Sequence, residues 1–279
     1  MNRGVGWSRS RRWLLETCAR RFVLTYPGGS GKGGPLPEPN PRLRLRRLLD
    51  AARRDLLEDR SEGHAWSPRL HRVVLERRMD DEASCLELDA VGRRKEAREE
   101  VRRMATLLRH PWMAHHVPVG GACSLPSSLE PVQEEDGLLW AAPSMIVGKK
   151  KPRIVLLREG RHRGAVDDLE AAINFRWTAS FWSHPLDRTV TVMRRVGASW
   201  IHRMVLVTPD MEASAAALLD HDRRAFASVR RRWQRYGISS LPLASSTVHC
   251  RRCPFAEGCP GGATPAVIDQ ARRAPSTKS

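Results

Sequence analysis

The segment at 250–260 constrains this chain more than any other, because it reads Cys-Arg-Arg-Cys-Pro-Phe-Ala-Glu-Gly-Cys-Pro. Prolines at 254 and 260 and a glycine at 258 interrupt any helix or strand, so we predict a tight loop. Such a loop brings three thiols together. Cysteine thiolates bind zinc or iron–sulfur clusters, and a four-thiolate site needs one more ligand. Cys18, far upstream, is the candidate for the fourth position.

Cys18 lies in a predicted helix over 8–25, for which Ser8 or Ser10 provides an N-cap. With Cys18 as a ligand, a metal centre would join the two ends of the chain. Ligand type alone leaves a [4Fe–4S] cluster, Zn2+ and no metal as alternatives. His249 is a weaker alternative ligand, and the remaining cysteines, Cys85 and Cys123, are interpreted as ordinary thiols.

Two motifs carry a resemblance to a known family. Residues 7–22, Trp-Ser-Arg-Ser-Arg-Arg-Trp-Leu-Leu-Glu-Thr-Cys-Ala-Arg-Arg-Phe, and the spacing Cys-x2-Cys-x5-Cys at 250–259 resemble RecB/AddB-type iron–sulfur nuclease domains of the PD-(D/E)XK superfamily. The CRISPR-associated four-cysteine exonucleases share this pattern. The resemblance covers roughly 7–260 and implies a [4Fe–4S] cluster on the four cysteines Cys18, Cys250, Cys253 and Cys259.

The order of predicted elements indicates an α/β (α+β) protein with a central mixed sheet and flanking helices. The resemblance implies a restriction-endonuclease-like core in one domain over 1–262. Its parts are a mainly helical region at 8–136, a sheet core at 137–208, a final helix and cysteine loop at 209–262, and a disordered tail at 263–279. Helices are predicted at 42–60, from Ser67-Pro68 onward, at 92–108, 167–182 and 209–236, strands at 138–142, 144–147, 153–157, 189–196 and 200–207, and a turn-rich connection at 110–118.

The catalytic motifs of the family are altered in this chain. Active members carry an Asp on one strand and Asp/Glu-x-Lys on the next, which hold Mg2+ and position the attacking water. Ser144, Leu156 and Arg158 stand at these positions. Leucine cannot bind a metal, and arginine cannot act as a base at neutral pH. We therefore predict an inactive enzyme, for which Mg2+ would matter only if activity remains.

Two residues support the alternative of an active nuclease with displaced acids. Ser67-Pro-Arg-Leu-His71 resembles the Gly-x-x-x-His motif of the family, in which the histidine contributes to the metal site. Glu159 is the one acid within reach of the expected site. Asp167 and Asp168 are expected to serve the N-terminus of the following helix.

The formal net charge of +17 points to a polyanionic partner. Only six of the 48 basic residues are lysine, a bias that a GC-rich genome would also produce. We expect DNA, single-stranded or as an end-containing duplex, with a helicase or nuclease subunit as a further partner. The candidate contacts are Lys149, Lys150, Lys151, Arg158, Arg161, Arg163, Arg230, Arg231 and Arg232.

No apolar run reaches the ~18–20 residues that a membrane span needs, and the basic N-terminus lacks the apolar stretch of a signal peptide. The expected location is the cytoplasm, including the nucleoid. Three functions stay open at this point: an inactive, iron–sulfur-stapled DNA-binding or scaffolding protein of repair, recombination or defence, an active metal-dependent nuclease, and a zinc-stabilised protein-interaction module.

Overall fold

The computed structural model describes residues 6–26, 41–183, 185–244, 246–250, 253–256 and 259. The chain divides into two compact units. We call 1–37, 131–141 and 216–279 the terminal unit, and 38–130 and 142–215 the central unit. The single domain over 1–262 stays a prediction, and the predicted tail at 263–279 lies outside the described residues.

The described residues form helices and strands in a mixed order. In chain order these are β1 (Trp7–Ser8), α1 (Arg9–Thr17), α2 (Ala19–Thr25), α3 (Pro41–Ser61), α4 (Pro68–Asp81), α5 (Ala83–Leu86), α6 (Ala90–Arg109), α7 (Pro111–His116), β2 (Cys123–Ser124), β3 (Val132–Glu134), β4 (Gly137–Trp140), β5 (Met145–Val147), β6 (Arg153–Glu159), α8 (Ala165–Phe181), β7 (Thr189–Val196), β8 (Ser199–Leu206) and α9 (Pro209–Tyr236). Two single-turn 3-10 helices follow, Ile238–Ser240 and Thr247–His249.

The prediction of one continuous helix over 8–25 is wrong, because Cys18 divides it into α1 and α2. Cys18 has an extended backbone (φ −164°, ψ 112°), and its N–H closes α1 on the Leu14 carbonyl. Its Sγ then accepts a hydrogen bond from the backbone N–H of Arg21 at 3.5 Å, which caps α2. The thiol is therefore held at a chain reversal rather than on a helix face.

The terminal unit is built on a three-stranded sheet in the order β1-β4-β3. Strand β4 was predicted as part of the single central sheet, and its pairing here corrects that prediction. Phe22 of α2 is fully buried and stacks on Phe226 of α9, with ring centroids 5.0 Å apart. The Trp7 indole N–H donates to Asp222 at 2.7 Å. These contacts fix α2 against α9 in the interior of this unit.

The central unit contains a five-stranded sheet in the order β2-β5-β6-β7-β8. Strands β5 and β6 form an antiparallel hairpin, and β6 pairs in parallel with β7. A parallel pair needs a crossover connection, which α8 provides. The predicted class is confirmed: the protein is α+β, with mixed sheets flanked by helices.

Helices α3, α4 and α6 enclose a core that includes Leu75, Met79 and Ala97, each fully buried. A second core packs α3, α6 and α7 against the sheet through residues such as Leu107, Met113 and Val155. The connection at 110–118, predicted as turn-rich, contains the short helix α7 because His110 and Pro111 start one there. Within the described residues, no helix combines the length and apolarity that crossing a bilayer requires.

Candidate functional site

Ser144 and Arg158 lie side by side at the end of the β5–β6 hairpin. The Ser144 N–H donates to the Val155 carbonyl at 3.1 Å. Its hydroxyl accepts a hydrogen bond from the Leu157 N–H at 2.9 Å and lies 3.5 Å from Arg158 Nη1. Leu156, the third residue at a family position, is fully buried in the core. The structure thus brings the three altered positions together; with Glu170 we call them the hairpin site.

Arg158 fills the hairpin site with a permanent positive charge. Its Nε donates to the Glu170 carboxylate of α8 at 2.6 Å, and its Nη1 donates to the Leu157 carbonyl at 2.9 Å. Mg2+ is usually held by one or two carboxylates together with substrate phosphates. Here the nearby carboxylate is engaged by a guanidinium, which also repels cations. The hairpin site therefore lacks a carboxylate that is available to bind Mg2+.

A buried ion pair between Asp167 and Arg194 lies next to the hairpin site, since Arg194 of β7 stands in register with Arg158 of β6. Asp167 and Arg194 are 1% and 2% exposed. Arg194 binds both carboxylate oxygens of Asp167, with Nε 3.1 Å from Oδ2, and its Nη1 donates to the Glu159 carbonyl at 2.7 Å. Burial alone would raise the pKa of Asp167, but the hydrogen bonds from Arg194 and from the Arg163 N–H lower it to about 2.

This ion pair is a finding that the sequence analysis missed. Asp167 was assigned only to the N-terminus of α8, where the capping residue is Gly164. A basic residue at 194, directly after the mostly apolar run at 190–193 of β7, was the available signal, since a buried charge needs a partner.

Glu159 and His71 belong to one charged network. Glu159 lies 3.6 Å from Arg103 Nη1 and 4.0 Å from Arg195 Nη1. Arg103 also contacts Glu100 at 3.1 Å. Glu100 is 1% exposed and lies close enough to His71 to influence its titration. Each carboxylate of the network is therefore balanced by arginine rather than left available for a cation.

His71 itself is 3% exposed and lies on the inner side of α4. Burial lowers its pKa, which Glu100 partly offsets and Arg53 lowers further. Its Nε2 has no hydrogen-bond partner among the described residues. The ring of Trp66 packs edge-on at 5.8 Å between centroids. A neutral imidazole in these surroundings fits an interior position.

The nine basic residues predicted to contact nucleic acid are divided between the two units, six in the central unit and three in the terminal unit. Lys149, Lys150 and Lys151 are exposed in the turn between β5 and β6, about 20 Å along the strand from Arg158 at ~3.3 Å per residue. Arg161 and Arg163 are exposed in the loop that follows β6, next to the hairpin site in sequence. The remaining three lie on α9 in the terminal unit: Arg231 and Arg232 are exposed, whereas Arg230 is half-buried.

All four predicted cysteine ligands line one cavity of the terminal unit. The lining consists of Cys18, Arg20, Arg21, Leu24, Leu243, Ala244, Cys250, Cys253, Phe255, Ala256 and Cys259. None of the four thiols forms a disulfide with a described residue, and all four are half-buried. A turn closed by the Cys253 N–H on the Cys250 carbonyl at 3.0 Å positions the C-terminal thiols. We call this site the cysteine cavity.

Arginine side chains surround the sulfur atoms of the cysteine cavity. Arg20 is 6% exposed, and its Nη1 lies 3.9 Å from the Cys259 Sγ. Its Nε also donates to the Leu241 carbonyl at 2.9 Å, which ties α2 to the segment after α9. Burial raises the pKa of Cys253, and Arg21 partly counteracts this. The nearby arginine therefore offsets only part of the effect of burial on this thiol.

The side chains that could act as ligands in the cysteine cavity are thiols, and no carboxylate among the described residues lines it. Thiolates are ligands of both zinc and iron–sulfur centres. In the part of the chain that the structure describes, no three His, Cys, Asp or Glu side chains are grouped closely enough to hold a metal ion. The four thiols thus share a cavity but do not form a metal-binding group as they are placed here.

Comparisons with known proteins give similarity in structure alone. No protein-family model matches the chain, and no curated protein matches it in sequence. A candidate exonuclease from Eubacterium rectale aligns over 90% of both chains at 9% identity, with a TM-score of 0.41. The protein SSO0001 aligns over 80% of this chain and 98% of its own, at 11% identity and a TM-score of 0.29. Neither alignment assigns a family or an activity at these TM-scores.

Proposed function

We propose that this protein binds nucleic acid without cutting it, on a nuclease-like scaffold that has lost its catalytic residues. The observation that carries the proposal is the Arg158 guanidinium, which lies between the Ser144 hydroxyl and the Glu170 carboxylate. A nuclease of the resembled family needs a lysine and two free carboxylates there. The ion pair of Arg158 with Glu170 occupies the place where the resembled family would bind its cation.

The order of elements supports the scaffold part of the proposal. The resemblance implies helices, then antiparallel strands, a crossover helix and further strands. The central unit has this order, with α3 to α7 before β5 and β6, and α8 leading to β7. The hairpin site stands at the position in this order where the resembled family carries out its chemistry.

The cysteine cavity is proposed to hold a [4Fe–4S] cluster. Cys18, Cys250, Cys253 and Cys259 would be its ligands, and Arg20 would offset part of the negative charge of the thiolates. When bound, such a cluster supplies a covalent connection between distant segments rather than a reaction step. Zinc on the same four cysteines is the alternative, since both centres accept four thiolate ligands, and the resemblance to the iron–sulfur nuclease domains is what favours the cluster.

The alternative of an active nuclease rests on Glu159. Its side chain is 59% exposed, but Arg103 and Arg195 are its ion-pair partners. A two-metal or one-metal mechanism needs acids that are free to bind Mg2+. The structure therefore favours binding over cleavage, and a helicase or nuclease subunit as partner remains a prediction from the resemblance.

Fluorescence anisotropy with labelled single-stranded and duplex DNA tests the binding function. Affinity should fall steeply with salt and depend weakly on base sequence, because phosphate contacts release counterions. Charge reversal at Arg230, Arg231 and Arg232 should flatten the salt slope if that face of α9 contacts the backbone. Arg224→Glu is the matched control, since Arg224 lies on the same helix but is paired with Asp220. Equal affinity at low and high salt would refute the proposal.

A further inference from the structure

A groove in the central unit carries a concentration of positive charge that the sequence analysis did not single out. It lies between α4 and α6 and has a volume of about 620 Å³. Its lining consists of Pro68, Arg69, Arg72, Arg98, Val101 and Arg102. Four of these six residues are arginines, and none is acidic. We call it the α4–α6 groove.

The arginines of the α4–α6 groove form two rows. Arg69 and Arg72 are three residues apart on α4, and Arg98 and Arg102 are four apart on α6, so each pair shares one face of its helix. All four are exposed. Like charges at these spacings destabilise a helix slightly. Their convergence therefore concentrates positive charge along the groove.

Little of this charge is neutralised within the protein. Arg72 lies 3.8 Å from Glu76, a long contact on the surface. Arg98 donates to the Arg94 carbonyl at 3.2 Å, which leaves its charge uncompensated. Arg69 and Arg102 have no ion pair with any residue that the structure describes. By contrast, Arg53, Arg78 and Arg93, on α3, α4 and α6, are paired with carboxylates.

The lining indicates the class of ligand. A volume of this size is within the range of ~300–1,000 Å³ typical of ligand sites, and four arginine side chains border it. Guanidinium groups bind phosphate oxygens in a bidentate manner. Two rows of them along an open groove match a chain of phosphates better than a single anion.

We infer that the α4–α6 groove binds the phosphate backbone of a nucleic-acid strand. The inference rests on the proposed function and names a contact surface for it that is separate from the nine residues predicted earlier. The floor of the groove is rigid, because α4 and α6 pack on the buried core that includes Leu75, Met79 and Ala97. Exposed arginines above such a core can be replaced without disturbing the fold.

The test compares two double variants of equal charge change on the same helices. Arg72→Glu with Arg102→Glu alters the groove, whereas Arg77→Glu with Arg94→Glu alters exposed arginines that do not line it. Binding is measured by fluorescence anisotropy across a salt series with single-stranded DNA, duplex DNA and RNA of one sequence. Circular dichroism melting verifies that both variants fold.

The groove variant should lose at least tenfold in affinity for the preferred nucleic acid. The slope of log affinity against log salt should fall by about 1.4 on a single strand, because each of the two lost phosphate contacts contributes roughly 0.7. The affinity of the control variant should stay within threefold of wild type. An equal loss of affinity in both variants, or no loss in either, overturns the assignment of the groove as a contact surface and leaves the proposed function intact. Absence of binding by the wild-type protein to all three probes overturns both.

Discussion

The cysteine cavity and the hairpin site differ in what their side chains can hold. In the cysteine cavity, four thiols from two distant segments line one space, and arginine donors lie beside the sulfur atoms. At the hairpin site, serine, leucine and arginine stand where the resembled family carries metal-binding and catalytic groups, and Arg158 is paired with Glu170. The cysteine cavity contains the four ligands that we propose for a cluster, whereas the hairpin site contains an internal ion pair.

This difference separates structural from catalytic demands on a fold. A thiolate-bound centre closes a long loop, and its loss would remove stability from the whole terminal unit. A catalytic cation adds little to stability, so its ligands can be exchanged for a guanidinium–carboxylate pair. Retention of one set beside loss of the other is what we expect for a protein that must fold and bind but need not react.

The largest expected effect is at Cys18. The Cys18→Ser variant should lose both the brown colour of anaerobically purified protein and its cooperative folding. Closing a loop of more than 200 residues contributes about 5 kcal/mol in chain-entropy terms. Visible absorbance, iron content and thermal melting measure the outcome.

Cys85→Ser is the matched control for that experiment, because Cys85 lies in α5 away from the cysteine cavity. It should keep the colour and the melting temperature. Colourless wild-type protein with stoichiometric zinc would show that the centre is zinc rather than a cluster. The proposed connection between the two segments through the metal would still hold. Unchanged iron content and stability in Cys18→Ser would show that Cys18 is not a ligand and that the cysteine cavity does not hold the proposed centre.

The next largest effect concerns the ion pair behind the hairpin site. Asp167→Asn leaves the Arg194 charge buried without its partner, which should cost about 3–5 kcal/mol. Asp168→Asn changes the neighbouring acid, whose partner Arg203 lies 2.7 Å away at the surface. That variant should cost less than about 1 kcal/mol. Urea denaturation of both variants checks the contrast, and equal midpoints would contradict the role assigned to Asp167.

Acid titration should show the same ion pair. The pKa of Asp167 is lowered from 3.8 to about 2 in the folded protein, so its contribution to stability is complete above the ordinary value. The contribution is lost as the pH falls from about 4 toward 2, and amounts to about 2 kcal/mol. Urea midpoints between pH 5 and 2.5 should fall more steeply for wild type than for Asp167→Asn. Parallel curves would show that Asp167 is not preferentially charged.

The smallest expected effect is on nuclease activity. Wild-type protein should not cleave single-stranded or duplex DNA with Mg2+ or Mn2+. The triple change Ser144→Asp, Leu156→Asp and Arg158→Lys could restore only a trace, because Leu156 is fully buried and a carboxylate there opposes folding. The double change at Ser144 and Arg158 keeps the core intact and is the control for folding.

Robust cleavage by wild-type protein, abolished by Glu159→Gln, would instead place the metal on the displaced acid. In that case the hairpin site would be an active centre with a shifted ligand, and its contrast with the cysteine cavity would disappear. Cleavage retained in Glu159→Gln would point to a contaminating nuclease.

Local features of the sequence predict many of the element boundaries. Ser67 caps α4 by accepting from the Leu70 N–H at 3.1 Å, as its Ser-Pro motif indicates. Helix α9 has the predicted bounds at 209 and 236, and the hairpin turn at 148–152 lies where glycine, lysines and proline placed it. Caps, turns and apolar periodicity act within a few residues, so they can be inferred without knowledge of the rest of the chain.

Tertiary structure alone decided the pairing of distant groups. It divided the first helix at Cys18, moved β4 into a separate sheet, and paired Arg158 with Glu170 and Arg194 with Asp167. A sequence identifies charged residues, but whether two of them meet depends on strand register and helix packing. The sequence shows that Ser144 and Leu156 cannot supply the carboxylates of the resembled family. It does not show that Arg158 pairs with Glu170, because that contact forms only when the folded chain brings β6 and α8 together.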